Sequence, residues 1–268
     1  MKNIPHDYYL RFLDGSVHDE VLDFHNKGNF TFHKSLENRT VLHFLDEKHL
    51  AQLTGNELVL YPDMNLTTEI TLLGEAPENK LCRNESCERF LSSGLRFSEI
   101  ESLIFPLLSR NGESYKRGYP SGGALYPVEV FICSLTEENY QWPGAGKILH
   151  LLPKSKRFEL LQVEHDVEKI KSAVLASPNN IGSPSLAIIY AVYIPKNLFK
   201  YRYRGYRMAL MEVGSIYMLV ELQAKSLGLA CRLWSAYTDS MVCKVLGLNP
   251  ALFFPMCVHF IGRNHEIN

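Results

Sequence analysis

Two short stretches bring together residue types able to do chemistry. The first is Tyr119-Pro120-Ser121-Gly122-Gly123-Ala124-Leu125-Tyr126-Pro127, entered through Lys116-Arg117. Pro120 stiffens the entry. Gly122 and Gly123 carry no Cβ, so the backbone can turn through positive φ and a ligand can approach it closely. Ser121 adds a hydroxyl, and Arg117 a fixed charge on a planar donor fork. A flat, phosphorylated ligand could use all of these; a tight turn into a strand explains the same residues. The stretch is neither a Walker loop nor a Gly-x-Gly-x-x-Gly fingerprint. The second stretch is Phe199-Lys200-Tyr201-Arg202-Tyr203-Arg204-Gly205-Tyr206-Arg207. Interleaved basic and aromatic side chains can stack on single-stranded nucleic acid. One short run in a chain of net charge -1 is a small footprint for that. The plainer expectation is a partly exposed loop before a helix. Glu212 follows inside an apolar helical pattern, where a buried carboxylate needs a partner; Arg204 and Arg207 are near in sequence.

These residues must be positioned by strands and helices that the hydrophobic pattern predicts. Val128 to Cys133 reads as a buried strand leaving the first stretch, and Lys147 to Leu152 as a strand able to pair with it. Leu186 to Ile194 is apolar and β-rich, as a central strand would be. Met208 to Leu227 is the longest helix, closed by Gly228. Met211, Ile216, Leu219, Val220 and Leu222 leave it few polar faces, so it belongs in a core or a subunit interface. Cys231 to Trp234 and Met256 to Ile261 complete the strands, with a short helix from Ser240 to Leu246 between them. Upstream, Ser98-Glu99-Ile100-Glu101 reads as a capping box, and Pro106 predicts an early end to that helix. Val167 to Ala176 has helical spacing. The amino-terminal part holds a helix over Val17 to Phe24 and strands over Thr40 to Leu45, Glu57 to Tyr61 and Thr67 to Leu73. Gly74 to Asn79 marks a boundary between a region 1–75, expected to pack or dock partners, and a domain 76–268.

Composition narrows the function classes. The chain has 268 residues, 46% hydrophobic and 21% charged, enough for a large core. Near-neutral charge gives no electrostatic case for nucleic acid or an anionic membrane. No apolar run reaches bilayer-spanning length, and the start lacks a signal-peptide pattern; a cytoplasmic protein is expected. Six cysteines and ten histidines show no metal-ligand spacing, so no metal is assigned. Cys133 and Cys257, within strand-like runs, read as reduced core thiols.

Four segments together resemble the SagB-type dehydrogenases of the nitroreductase-like flavoprotein superfamily. They are Asp23-Phe24-His25-Asn26-Lys27, the loop Tyr119 to Pro127, Met208 to Ser215, and Leu227-Gly228-Leu229. The run from Phe199 to Asp239 resembles most closely the dehydrogenase subunits of microcin-type thiazole/oxazole synthetases. The resemblance implies an α+β nitroreductase-like fold: a central, mostly antiparallel sheet flanked by helices, a long central dimer helix and a small amino-terminal α/β region. It implies FMN, held between the subunits of a homodimer. It also implies oxidation of thiazolines and oxazolines in a precursor peptide, alongside cyclodehydratase subunits. Lys200 and Tyr201 match the family's catalytic pair; Arg202, Arg204 and Arg207 would help keep one of them deprotonated. Arg117, Pro120, Ser121, Gly122 and Gly123 match its flavin loop, Trp234, Ser235 and Ala236 a flavin-side loop, and Arg263 a phosphate ligand, with Arg83 and Arg89 as further candidates. The same fold also serves NAD(P)H-dependent nitro- or quinone reductases, and a non-catalytic flavoprotein scaffold is a third reading.

Overall fold

The computed structural model describes residues 6–29, 46, 48–49, 81–110, 116–175 and 180–265. The chain divides into two units, Met1–Phe30 with Arg83–Asn268, and Thr31–Cys82. The first helix thus packs with the larger unit, and the division expected near residue 75 falls between 82 and 83. The three amino-terminal strands expected from the sequence, and the segment Gly74 to Asn79, lie outside the described residues.

One antiparallel sheet organises the larger unit. Its strands are β1 (Val128–Ser134), β2 (Ile148–Leu152), β3 (Arg157–Leu161), β4 (Leu186–Tyr193), β5 (Ala230–Trp234) and β6 (Phe253–Gly262). They lie in the order β3-β2-β1-β4-β6-β5. β4 is buried at every position, as its unbroken apolar run predicts for a strand covered on both faces. β3 sits at an edge and is only partly covered.

Helices cover both faces. They are α1 (Gly15–Gly28), α2 (Phe97–Ile104), α3 (Val167–Val174), α4 (Pro195–Tyr201), α5 (Tyr203–Ser226) and α6 (Asp239–Leu246). Val130, Ile132, Ile188, Tyr190 and Val192 form a first core with Val213, Ile216 and Val220 of α5. Phe131, Cys133, Ile189 and Phe260 form a second core with Ile170 of α3 and Val242 of α6. Alternate residues of β1 therefore serve opposite faces, as the two-residue pleat requires. Cys133 is buried, and the burial pushes its thiol up to about 12.

α5 ends where Gly228 was expected to close it; the Leu229 N–H reaches back to the Ala224 carbonyl at 2.9 Å. Two local expectations change. The box at the start of α2 is set two residues upstream: Arg96 is the cap, and Glu99, rather than Glu101, accepts its N–H at 2.9 Å. The stretch Phe199 to Arg207 is helix rather than loop, split between α4 and α5 at Arg202. Pro195 suits the first turn of α4. Gly205, an unfavourable helix residue, is needed there because a Cβ would press within 2.9 Å of the Asn197 backbone, where the two helices cross.

Candidate functional site

The sheet register builds the site. Val128, where the Tyr119 to Pro127 loop enters β1, pairs with Val192 near the end of β4. The Tyr193 N–H donates to the Pro127 carbonyl at 2.9 Å. α4 departs from that same end of β4. The two stretches singled out in the sequence, some eighty residues apart, therefore leave the sheet side by side. Gly123 sits at φ 60°, conformational space that favours glycine. A Cβ there would collide with the Tyr201 hydroxyl and lie 2.8 Å from Lys200 Nζ. A Cβ on Gly122 would strike Met208 of α5.

The loop is anchored from below. Ser121 Oγ accepts the Tyr126 N–H at 2.9 Å, and the Tyr126 hydroxyl accepts the Arg117 N–H at 3.0 Å. The Arg117 guanidinium lies 4.4 Å from the Tyr126 ring centroid and donates to the Tyr119 hydroxyl at 2.7 Å. Arg117 is half-buried and, among the described residues, makes no ion pair. Lys196 donates to the Tyr126 carbonyl at 2.9 Å and lies 3.6 Å from Glu129. Burial works against the Glu129 charge, yet His150, Lys196 and Arg117 outweigh it and hold the carboxyl at about 2.

Glu212 lies under this loop on α5, 3% exposed. Arg204 and Arg207 are exposed, and neither is its partner. The Ser121 hydroxyl and the Val128 N–H face the carboxyl instead, without closing a hydrogen bond of good geometry. Burial pushes Glu212 up to about 7, against the pull of Ser121, Arg117, Val128 and Lys196.

Lys200 is exposed and Tyr201 half-buried, with Lys200 Nζ 5.2 Å from the Tyr201 ring centroid. Directly after them, Arg202 has φ 49° and ψ -138°. A non-glycine residue held in so sparsely populated a conformation costs about 1–3 kcal/mol. α1 runs alongside: Asp14 pairs with Arg202 at 2.8 Å, Glu20 accepts the Tyr203 hydroxyl at 2.7 Å, and His25 Nδ1 lies 3.3 Å from the Tyr206 hydroxyl. His25 also stacks on Phe254, ring centroids 4.1 Å apart, and burial lowers it to about 4. Asp14 and the shape of Arg202 were missed in the sequence. The signal available was Asp-Gly-Ser ahead of the first helix, an N-cap in which Asp14 accepts the Ser16 and Val17 N–H groups.

The remaining expected residues lie elsewhere in the single chain. Trp234 packs into the second core and donates to the Ala236 carbonyl at 3.0 Å, with Ser235 exposed beside it. Arg263 follows the far end of β6, about 30 Å along the strand from Phe253, and pairs with Glu99 at 2.7 Å. Arg83 pairs with the buried Glu221, while Arg89 lines an open cleft with Asn84, Asn264 and His265. No group of His, Cys, Asp and Glu suited to a metal ion occurs among the described residues. No described helix is long and apolar enough to cross a membrane.

Residues 85–263 match the nitroreductase family. The chain belongs to the nitroreductase family. This nitroreductase-family chain is 35% identical over 260 residues to the microcin B17-processing protein McbC of Escherichia coli, covering 94% of this chain and 92% of that protein. Its fold superposes on a chain of the E. coli microcin synthetase McbBCD complex with truncated pro-MccB17 bound. That match has a TM-score of 0.83 and 32% identity, and covers 98% of this chain and 99% of that one. The trifolitoxin-processing protein TfxB of Rhizobium leguminosarum bv. trifolii is 27% identical over 158 residues, covering 58% of this chain and 41% of that protein. The expected fold, an antiparallel sheet flanked by helices, is therefore the observed one.

Proposed function

We propose that this chain is the FMN-dependent dehydrogenase subunit of an azole synthetase. It oxidises thiazolines and oxazolines in a ribosomally made precursor peptide to thiazoles and oxazoles, on the way to a microcin-like antibacterial product, in the cytoplasm. The observation that carries the reading is the meeting of Gly123 with Lys200 and Tyr201 at one end of the sheet. The likeness to McbC over 94% of this chain supports the substrate class.

Several features fit FMN. Gly123 offers a backbone without a Cβ, exposed on one side and backed by Lys200 and Tyr201 on the other. Arg117 presents a half-buried guanidinium suited to a phosphate. Glu212 keeps both carboxylate oxygens without a hydrogen-bond partner beneath the loop. Pro120, Ser121, Gly122 and Gly123 would then hold the flavin with Arg117. In a homodimer, Trp234, Ser235, Ala236 and Arg263 would reach the same flavin from the second copy. The exposed side of α5, with Tyr203, Leu210, Met211 and Met218, is the face we assign to that contact. The amino-terminal region 1–75 is the part we assign to docking the cyclodehydratase subunits.

FMN, when bound, supplies a two-electron acceptor for the hydride. The chain itself must remove the proton from Cα of the azoline ring as that hydride leaves, which makes the ring aromatic. We assign that role to Lys200 Nζ or Tyr201 Oη, which lie against Gly123. The His25 ring is kept neutral by burial, but it faces Tyr206 and Phe254 rather than Gly123. Asp239 is buried near Tyr237 and Tyr206.

The test is spectroscopic. Purified protein should be yellow and release FMN on denaturation. Without oxygen, cyclised precursor peptide should bleach the flavin, and NADH alone should not sustain turnover. A protein that binds no FMN, or whose bound flavin is bleached by NADH and not by azoline peptide, refutes the reading.

A further inference from the structure

Arg202 is the one residue at which the path from α4 to α5 is decided. Its N–H closes α4 on the Leu198 carbonyl at 2.8 Å, and its carbonyl opens α5 by accepting the Gly205 N–H at 2.9 Å. Between those bonds its backbone takes φ 49° and ψ -138°. Glycine adopts that conformation freely, and a long charged side chain does not. The bend it makes turns α4 so that its last two residues, Lys200 and Tyr201, lie against Gly123.

Something outside the two helices must hold an arginine in that shape. α1 supplies it. Asp14 divides its carboxylate between two tasks: Oδ1 caps α1, and Oδ2 grips the Arg202 Nη1 at 2.8 Å. Ser16, Arg202 and the Val17 N–H, in that order, hold the Asp14 carboxyl at about 2. Farther along α1, Glu20 and His25 meet Tyr203 and Tyr206, the next residues of α5 on that side. The His18 imidazole lies 2.8 Å from the Ala251 carbonyl and ties α1 to the segment entering β6. α1 is thus laced to the start of α5 at three points and to the approach to β6 at a fourth.

We propose that Arg202 is a positioning residue, held in a strained bend by Asp14 of α1, that fixes Lys200 and Tyr201 against Gly123. The proposal rests on the reading of Lys200 and Tyr201 as the acting pair. Strain of this kind persists where the surrounding structure over-determines it. A residue kept only to stabilise the fold would do so better as glycine, which needs no restraint here.

That contrast gives the test, made on the FMN-loaded protein with its cyclodehydratase and precursor peptide. Arg202→Gly relieves the bend and loses an exposed ion pair, two changes of opposite sign in stability. The melting temperature should stay within about 3 °C, and FMN affinity within about threefold. Amide hydrogen exchange should quicken over residues 199–203 and stay unchanged in β4 and β6. The turnover number should fall about tenfold or more, with KM for the peptide nearly unchanged, as expected of a misplaced reacting group. Asp14→Asn, which can still cap α1, should show the same pattern more weakly, and Arg202→Lys should recover part of the rate. Wild-type turnover in Arg202→Gly overturns the proposal. So does a rate loss that merely follows a lost folded fraction. If Lys200→Ala and Tyr201→Phe both keep full activity, the acting pair is misassigned, and the positioning role falls with it.

Discussion

Substituting Glu212 by Gln isolates the charge buried beneath the Gly122-Gly123 loop. The two side chains have the same shape, and only one ionises. Burial holds the Glu212 carboxyl at about 7, against an ordinary value of 4.5. A carboxyl raised by folding costs stability wherever the unfolded chain would already be ionised. The penalty is absent well below the unfolded value, grows as pH rises through the window between the two, and is complete above the folded value. At about 1.4 kcal/mol per pH unit, full ionisation costs about 3 kcal/mol, of which about 2 kcal/mol accrues between about pH 5.5 and about pH 8.5. The opposing pull of Arg117 and Lys196 is already contained in that value, since both lower it. Tyr119 faces the same carboxyl, and burial keeps its phenol neutral throughout this range. The Glu212→Gln amide brings its own burial cost, but that cost does not vary with pH. The quantity to read is therefore the slope. Urea unfolding of the wild type and of Glu212→Gln at the two pH values should show the variant gaining about 2 kcal/mol relative to wild type at the higher one. Parallel pH dependences in the two proteins would show that the carboxyl carries no titration in this window.

Lys200→Ala and Tyr201→Phe should each retain FMN and the dimer while lowering azole formation by about 10²- to 10⁴-fold, read as azoline peptide accumulating. Gly123→Ala should cost about 1–2 kcal/mol from its positive φ and weaken FMN binding, measured by quenching of flavin fluorescence; unchanged affinity would remove the loop from the site. Paired Met211→Glu and Met218→Glu substitutions, on exposed positions of α5, should give a monomer in light scattering and lower FMN affinity together. A dimer that persists places the contact on another face.

Much of this was legible because local patterns and tertiary packing agree. The unbroken apolar run of β4 announced a central strand, and Pro106 announced the end of α2, which stops at Ile104 and passes into a 3-10 turn over Phe105–Leu107. The two chemical stretches were also visible as residue types. Their meeting was not, because it follows from the pairing of Val128 with Val192, a long-range register with no local signature. Basic and aromatic residues at 199–207 looked like a loop, yet no helix breaker other than Gly205 lies among them, and packing against Asn197 accommodates it. The arginines nearest Glu212 in sequence are exposed to solvent, while the loop above supplies Ser121. Ile216, one of the positions that assigned this helix to a core or a subunit interface, is fully buried against the sheet. Periodicity alone shows that a helix has two apolar sides, and leaves open which of them meets the core. Arg202 had no signal at all, since a strained φ leaves no trace in the identity of an arginine.

Under the proposed function, this chain removes two hydrogens from each azoline ring. Mass spectrometry tests it most directly, on a precursor peptide incubated with its cyclodehydratase, with and without this protein. Without it, rings should stop at azolines, each a loss of one water from the peptide. With it, each ring should lose about two further mass units as hydride and proton depart. The Lys200→Ala protein should leave the azoline mass in place while still binding FMN. Azole masses formed at the same rate without this chain, or equally well with the Lys200→Ala and Tyr201→Phe proteins, would rule out the dehydrogenase assignment.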